Sequence, residues 1–389
     1  MTEQQEPQTL PFRFSGDGGE YFKIWIVNLI LTILTLGIYS AWAKVRTKRY
    51  FYGNTNLDNA AFEYHATPMV ILKGRLIAFT AFVIYVLLSR FFPIAGAIFA
   101  VILVLLMPWV IWRSIQFNAR MVSYRNVRFG FRGLVKEAYR ILVLIPLLPI
   151  IIGVILGGIT FLILGGGTIV GVISSITILA FYLVFPYVQQ LMTSYYINNR
   201  QYGQGKFSAQ LSAKKYYAVY LALFALTLLF IITIGIVASV VMGLTGGLEQ
   251  IKVMQQGDPS TMSGMIVGMI LLIYIFFIGL GLWGTAYLEA NIKNYVLNNT
   301  KLDDVLQLNS NITVGKLFGI YLTNTLLVIV TLGIAYPWAV IRLKKYKIES
   351  TSAIIKGDIA QYVNQQQEAQ SALGEELGDA FDTAIDLGM

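Results

Sequence analysis

The sequence has no cysteine and a single histidine, His65, and only 13% of its 389 residues are charged. The first absence excludes disulfides, thiolate metal sites and a cysteine nucleophile. The second excludes a multi-histidine metal centre within one chain. The third carries most weight, because a soluble domain has about 25% charged residues. This is not the composition of a soluble enzyme, a disordered chain or a secreted disulfide scaffold. Apolar residues take the place of charge: they make up 56% of the chain, and the mean hydropathy is +0.66.

The net charge of +9 is unevenly spread: from Gly357 onward there are seven acids and no base. The preceding residues hold 29 bases against 13 acids. In so apolar a chain, that excess reads as the positive charge of cytoplasmic loops. No basic run has the length of a nucleic-acid module, so no nucleic-acid partner is expected. The polar stretch Met1 to Gly19 lacks a basic leader and is not read as a secretory signal.

Six apolar segments have the roughly 20 residues that a membrane crossing needs: 70–89, 94–112, 141–164, 168–188, 216–242 and 265–287. Two further segments, 22–42 and 317–338, are long enough but more polar. Each carries an asparagine (Asn28, Asn324), several threonines and a Thr-Leu-Gly break. Short turns alternate with long basic loops rich in Tyr and Asn.

The long loops resemble one another. Asn54-Thr55-Asn56-Leu57-Asp58 recurs as Asn299-Thr300-Lys301-Leu302-Asp303, with looser versions at Asn126 and Asn199. An alternating pair follows each: Phe62-Glu63-Tyr64, Phe129-Gly130-Phe131, Phe207-Ser208-Ala209 and Leu306-Gln307-Leu308, with Phe12-Arg13-Phe14 as a fifth copy. Period-two alternation across Asp-Asn or Gly-Gln-Gly predicts short β-hairpins. The ends match as well. Thr35-Leu36-Gly37-Ile38, Trp42, Arg46 and Tyr50 align with Thr331-Leu332-Gly333-Ile334, Trp338, Arg342 and Tyr346, and Asn28 falls on Asn324.

Two topologies fit this pattern. If the terminal elements are plain spans, Arg13, Lys23, Arg90, Lys252, Arg342, Lys344, Lys345, Lys347 and Lys356 lie outside the cell. If each is a re-entrant pair of half-helices broken at Thr-Leu-Gly, only Arg90 and Lys252 do. The positive-inside bias favours the second arrangement. Non-helical backbone at membrane depth, which must be shielded by protein or water, weighs against it.

The residues also resemble a known family. Phe12-x-Phe14-x-Gly16-x-Gly18-x-Glu20-Tyr21-Phe22, Thr35-Leu36-Gly37-Ile38-Tyr39-Ser40-x-Trp42-Ala43-Lys44-Val45-Arg46, Asn54-Thr55-x-Leu57-Asp58 and Lys73-Gly74-Arg75 look like the YjgN-like family of bacterial inner-membrane proteins, which contain a domain of unknown function. The resemblance covers most of the chain. It implies a multi-pass protein of the inner membrane of a Gram-negative bacterium, and it implies no catalytic residue or cofactor.

The expected fold class is an all-α polytopic membrane protein. It has about six full transmembrane helices, two terminal apolar elements (re-entrant or spanning) and short cytoplasmic β-hairpins. Three regions are expected: a cytoplasmic N-terminal segment (1–20), a membrane domain built from repeats (21–352) and an acidic, flexible tail (353–389). No catalytic set is visible. His65 is read as an interfacial structural residue rather than a proton relay, and no enzyme activity, metal or cofactor is expected. The interiors of the six strong spans carry no Asp, Glu, Lys, Arg or His, which argues against an ion-coupled pump. Broken helices lined with Asn and Thr bind solutes at mid-membrane in several transporters. On that basis Asn28, Thr32, Thr35, Gly37, Asn324, Thr331 and Gly333 are candidate solute or helix-break positions. A purely structural use of the same residues is the competing reading. Lys44, Arg46, Arg49, Arg342, Lys344 and Lys345 are expected to face lipid headgroups. The expected partners are the bilayer, its anionic headgroups, and a second copy or another membrane protein. The expected function is solute transport or permeation; the alternative is a membrane scaffold with a cytoplasmic interaction platform.

Overall fold

Local sequence sets where the helices begin and end. Asp17 caps the first, its Oδ1 accepting from Gly19 N at 2.7 Å and Glu20 N at 3.1 Å, which satisfies amides that a helix start leaves open. Pro68 and Pro93 each occupy a first turn, where no intrahelical N–H bond is lost. The computed structural model describes residues 8–165, 167–245 and 264–369. In chain order the helices are α1 (Gly18–Leu34), α2 (Ser40–Gly53), α3 (Pro68–Phe91), α4 (Pro93–Arg120) and α5 (Val135–Tyr139). A π-turn at Arg140–Leu144 leads into α6 (Ile145–Leu164), followed by α7 (Thr168–Asn198), α8 (Ala213–Thr245), α9 (Gly264–Asn298), α10 (Val314–Val330) and α11 (Tyr336–Glu349). A last helix, α12, covers 359–369.

Among the described residues, six helices are long and apolar enough to cross a membrane: α3, α4, the continuous α5–α6 rod, α7, α8 and α9. They coincide with the six strong segments of the sequence. The terminal elements differ. α1 and α10 have 17 residues each and rise about 25 Å, short of a hydrocarbon core of about 30 Å. Each breaks at Thr-Leu-Gly and continues into a second helix, α2 or α11.

The all-α expectation is wrong. Among the described residues, eleven strands lie between the helices: β1 (Gln8–Pro11), β2 (Arg13–Phe14), β3 (Thr55–Leu57), β4 (Ala60–Tyr64), β5 (Val122–Tyr124), β6 (Val127–Phe131), β7 (Arg200–Tyr202), β8 (Gly205–Ala209), β9 (Thr300–Leu302), β10 (Leu306–Ser310) and β11 (Thr351–Ile355). They form one antiparallel sheet in the order β1-β11-β10-β9-β8-β7-β6-β5-β4-β3-β2. The ends of that order, β1 and β2, are separated in sequence only by Phe12, whose N–H bonds Thr351 O at 3.1 Å. One short segment therefore touches both edges, and the sheet is a nearly closed ring. The hairpins expected from the loops exist, but they are not isolated. A lone two-stranded hairpin is marginal in water, and each one here pairs sideways with the next, which removes its edges.

The register fixes how the helices attach. Phe14 pairs with Thr55, Tyr64 with Val122, Phe131 with Arg200, Ala209 with Thr300 and Ser310 with Thr351. In each pair one residue ends a strand, the other begins the next, and a pair of helices lies between them in sequence. All five helical segments thus leave and return at one rim of the ring. The strand turns lie at the other rim. Asp58 and Asn59 (φ 47° and 56°) and Arg125 and Asn126 (φ 46° and 63°) make two-residue turns with both residues left-handed, the geometry that matches strand twist.

The chain divides into two compact units. One comprises Met1–Ala213, Val296–Asn311 and Tyr336–Met389, and holds all eleven strands. Within it α1 packs on α2 and α11, α3 on α4, and α6 on α7. The other comprises Lys214–Tyr295 and Ile312–Ala335. There Asn294 grips the start of the next helical segment through both Ile312 N (3.0 Å) and Ile312 O (2.8 Å). The segments expected as 1–20 and 353–389 both contribute strands to the ring; residues 370–389 lie outside the described residues.

Candidate functional site

The two Thr-Leu-Gly breaks have the same conformation. Leu36 and Leu332 both have φ 49°, and Gly37 and Gly333 have φ 91° and 92°, where a side chain would be strained. Gly37 N bonds Thr32 O at 2.7 Å, and Gly333 N bonds Val328 O at 2.8 Å. Thr35 Oγ1 donates to Leu31 O at 2.7 Å and accepts from Tyr39 N at 2.9 Å. Thr331 Oγ1 likewise donates to Leu327 O at 2.7 Å and accepts from Ala335 N at 3.1 Å. Thr32 Oγ1 donates to Asn28 O at 2.6 Å. These hydroxyls serve their own helix breaks. The tip leucines, Leu36 and Leu332, are 95% and 92% exposed.

Asn28 and Asn324 are both buried. Asn28 Oδ1 accepts from Arg46 Nη1 at 3.4 Å, and the same nitrogen donates to Tyr39 OH at 3.2 Å. Asn28 Nδ2 is buried with no hydrogen-bond partner among the described residues. Asn28, Thr32, Thr35 and Gly37 thus share one helical hairpin of the first unit, while Asn324, Thr331 and Gly333 belong to the second.

The expected headgroup-facing cations Lys44, Arg46, Arg49, Arg342, Lys344 and Lys345 are all exposed. Lys44 joins Arg75, Arg113, Ser114 and Asn118 around a groove of about 390 Å³ between α2, α3 and α4. Arg49 Nη2 donates to Ala66 O at 3.3 Å, and Arg75 donates to Ser40 Oγ. His65 lies where β4 ends, with its Nε2 2.7 Å from Ser123 Oγ.

A further concave site went unnoticed in the sequence. It is a chamber of about 230 Å³ inside the ring. Phe12, Phe62, Phe129 and Phe207 line it as a stack running from strand to strand, with centroids 6.3, 6.4 and 6.3 Å apart and planes within 26°. Leu308 takes the matching register in β10, and Leu306 also lines the chamber. Phe62 pairs with Tyr124, Phe129 with Tyr202, Phe207 with Leu302 and Leu308 with Ala353. Those partners form a second layer in which Tyr124 OH donates to Leu57 O (2.7 Å) and Tyr202 OH to Tyr124 O (3.0 Å). Burial raises the pKa of both phenols above the ordinary tyrosine value, so they stay protonated donors.

α12 stops the chamber at the turn rim, bringing Ile359, Tyr362 and Val363 to its lining. Three turns hold it. Gln366 Oε1 accepts from Gln204 N (2.7 Å) and Gly205 N (3.2 Å), Tyr362 OH donates to Asp303 Oδ2 (2.6 Å), and Gln367 Nε2 donates to Arg125 O (2.7 Å). The recurring Phe-x-aromatic pairs were the signal for this site. They mark inward positions once the hairpins are joined into a ring.

The profile of the family described as "Bacterial protein of unknown function (DUF898)" matches residues 9–380. The protein named inner membrane protein YjgN from Salmonella typhimurium is 27% identical over 366 residues, covering 89% of this chain and 88% of its own. Its namesakes from Escherichia coli O157:H7 and K12 are each 26% identical, covering 92% of both chains. No solved structure matches.

Proposed function

The chain belongs to this family of bacterial proteins and is a multi-pass membrane protein like its inner-membrane relatives, and from that premise we propose that it acts as a membrane scaffold, a cytoplasmic β-ring from which helical hairpins enter the bilayer to gather membrane partners. The observation that carries this reading is the return of all five helical segments to one rim of a single ring. Strand edges cannot lie in lipid, so the ring stands outside the bilayer. The positive-inside bias favours a cytoplasmic side for the ring and its neighbouring basic residues. The groove of Lys44, Arg75 and Arg113 then meets anionic headgroups, at about 1 kcal/mol per charge near the surface.

The spanning helices favour recruitment over a sealed path. Within their most apolar windows, 0–11% of residues are buried in the protein. Such surfaces are open to lipid, to other helices or to a second copy. The transport reading keeps one observation in its favour, the buried Asn28 Nδ2 beside Arg46. Against it, the threonines that would bind a solute are committed to their helix breaks.

A photo-crosslinking residue at Phe79, which is 64% exposed on α3, tests the proposal in living cells. Discrete protein adducts, with no solute flux through the protein in liposomes, support the scaffold. Adducts to lipid alone together with measurable flux would sink it and restore transport.

A further inference from the structure

The scaffold reading gives no use to the chamber, and Arg200 points to one. It is the first residue of β7, at the rim from which the helices leave. Its guanidinium carbon lies 5.3 Å from the centroids of both Phe129 and Tyr196. Its Nε is buried with no hydrogen-bond partner, and no described carboxylate forms an ion pair with it. Aromatic faces hold a guanidinium well, yet a buried N–H without an acceptor is costly. That Nε is shut off from the chamber, but the guanidinium makes no hydrogen bond among the described residues, so an anion reaching its terminal nitrogens would gain charge-assisted hydrogen bonds.

The remaining walls call for an apolar body. The Phe12, Phe62, Phe129 and Phe207 stack offers only ring surface, and the volume of about 230 Å³ exceeds the roughly 150 Å³ that suffices for benzene in an apolar cavity. We propose that the chamber binds one acyl chain with an anionic head, the chain lying along the phenylalanine stack and the carboxylate or phosphate meeting Arg200. The chain enters from the membrane-side rim. α12 closes the opposite mouth and sets the depth. The inference is independent of the scaffold reading, since a transporter could hold the same ligand.

The test uses the full-length protein in nanodiscs and two photoreactive probes: a diazirine-bearing decanoic acid and a monoacyl glycerol phosphate with the same chain. Adducts are mapped by peptide mass spectrometry. Labelling should fall on the β6 and β8 peptides carrying Phe129 and Phe207, and decanoate should compete while decanol does not. Arg200→Gln should reduce labelling about tenfold. Should that variant fail to fold, Phe207→Trp fills the chamber from another wall, leaves Arg200 in place and should block labelling equally. Labelling by the acid alone assigns a free fatty acid; labelling by the phosphate alone assigns a membrane lipid; labelling by both assigns the shared chemistry. Adducts confined to the spanning helices, equal competition by decanol, or unchanged labelling in the folded variants would overturn the proposal.

Discussion

Tyr202 in the ring and Leu105 on α4 are both large side chains, yet the first is 4% exposed and the second 47%. The contrast holds for the two regions they represent. The ring is built from strands of two to five residues, too short to hold alone, so it depends on side chains meeting inside it. The spanning helices satisfy their backbones internally and need no mutual burial to persist in lipid. Water forces the ring to close; lipid leaves the helices exposed. Stability and specificity of the fold therefore concentrate in the smaller region.

The largest expected effect follows directly. Tyr202→Ala removes a buried ring and the hydrogen bond to Tyr124 O, and should cost about 3–5 kcal/mol. Leu105→Ala, facing lipid, should stay within about 0.5 kcal/mol. Limited proteolysis in nanodiscs reads the difference: the first variant should be cut at the strand turns, while the second should match the parent. Equal sensitivity would break the division between the regions.

The two helix breaks extend the comparison to the membrane side. A β-branched residue at φ near +91° is strained, so Gly37→Val and Gly333→Val should each cost about 1–3 kcal/mol. Because the two turns share their φ values and their hydrogen-bond pattern, the two losses should agree. Thermal unfolding of each variant measures them, and a clear inequality would show that the matched conformations sit in unequal surroundings.

How much of this was legible before the structure differs by region for a physical reason. Helices announce themselves locally: the six spans, the Thr-Leu-Gly breaks and the Asp-Asn turn all follow from residues close in sequence. The ring does not. Its defining pairs, such as Ala209 with Thr300, join residues on either side of a whole helical hairpin, and no local period encodes them. Closure is subtler still, since it depends on Phe12 standing between one edge and the other. The turn between β9 and β10 spans Asp303 to Val305, one residue longer than its counterparts, so it is Leu308 that takes the register of the phenylalanines, while Leu306 also lines the chamber. The Thr-Leu-Gly breaks are local and could be read from the sequence, whereas the chamber was missed, because its phenylalanines come together only through pairing across the ring.

α12 sharpens the comparison, because it belongs to the ring yet is held by few groups. Burial, with the hydrogen bond to Asp303 adding to it, raises the Tyr362 pKa above its ordinary value. A raised pKa means that the folded state favours the protonated phenol. Its contribution is full below the usual tyrosine pKa of about 10 and is lost as pH rises through the higher folded value. Protection of the amides of 359–369, measured against their intrinsic base-catalysed exchange, should therefore be flat near neutrality and fall in strong alkali. Tyr362→Phe should abolish that pH-dependent loss of protection and weaken docking by about 0.5–1.5 kcal/mol at neutral pH. Unaltered exchange in the variant would mean that Gln366 and Gln367 hold the helix alone.

The smallest effect belongs to the pair that ties neighbouring turns, Arg125 Nη2 to Asp58 Oδ2 at 2.6 Å. Both side chains are partly exposed, and such pairs contribute about 0–1 kcal/mol. Arg125 also stands at φ 46°, a conformation glycine adopts more readily. Arg125→Ala loses the pair and keeps the strain, so it should destabilise slightly. Arg125→Gly loses the pair and relieves the strain, so it should lie close to the parent. Comparing their unfolding midpoints at low and high salt separates the two contributions: salt should narrow the gap between the parent and both variants, while the order of alanine and glycine stays fixed. A reversed order would show that the turn geometry, and not the ion pair, was misjudged.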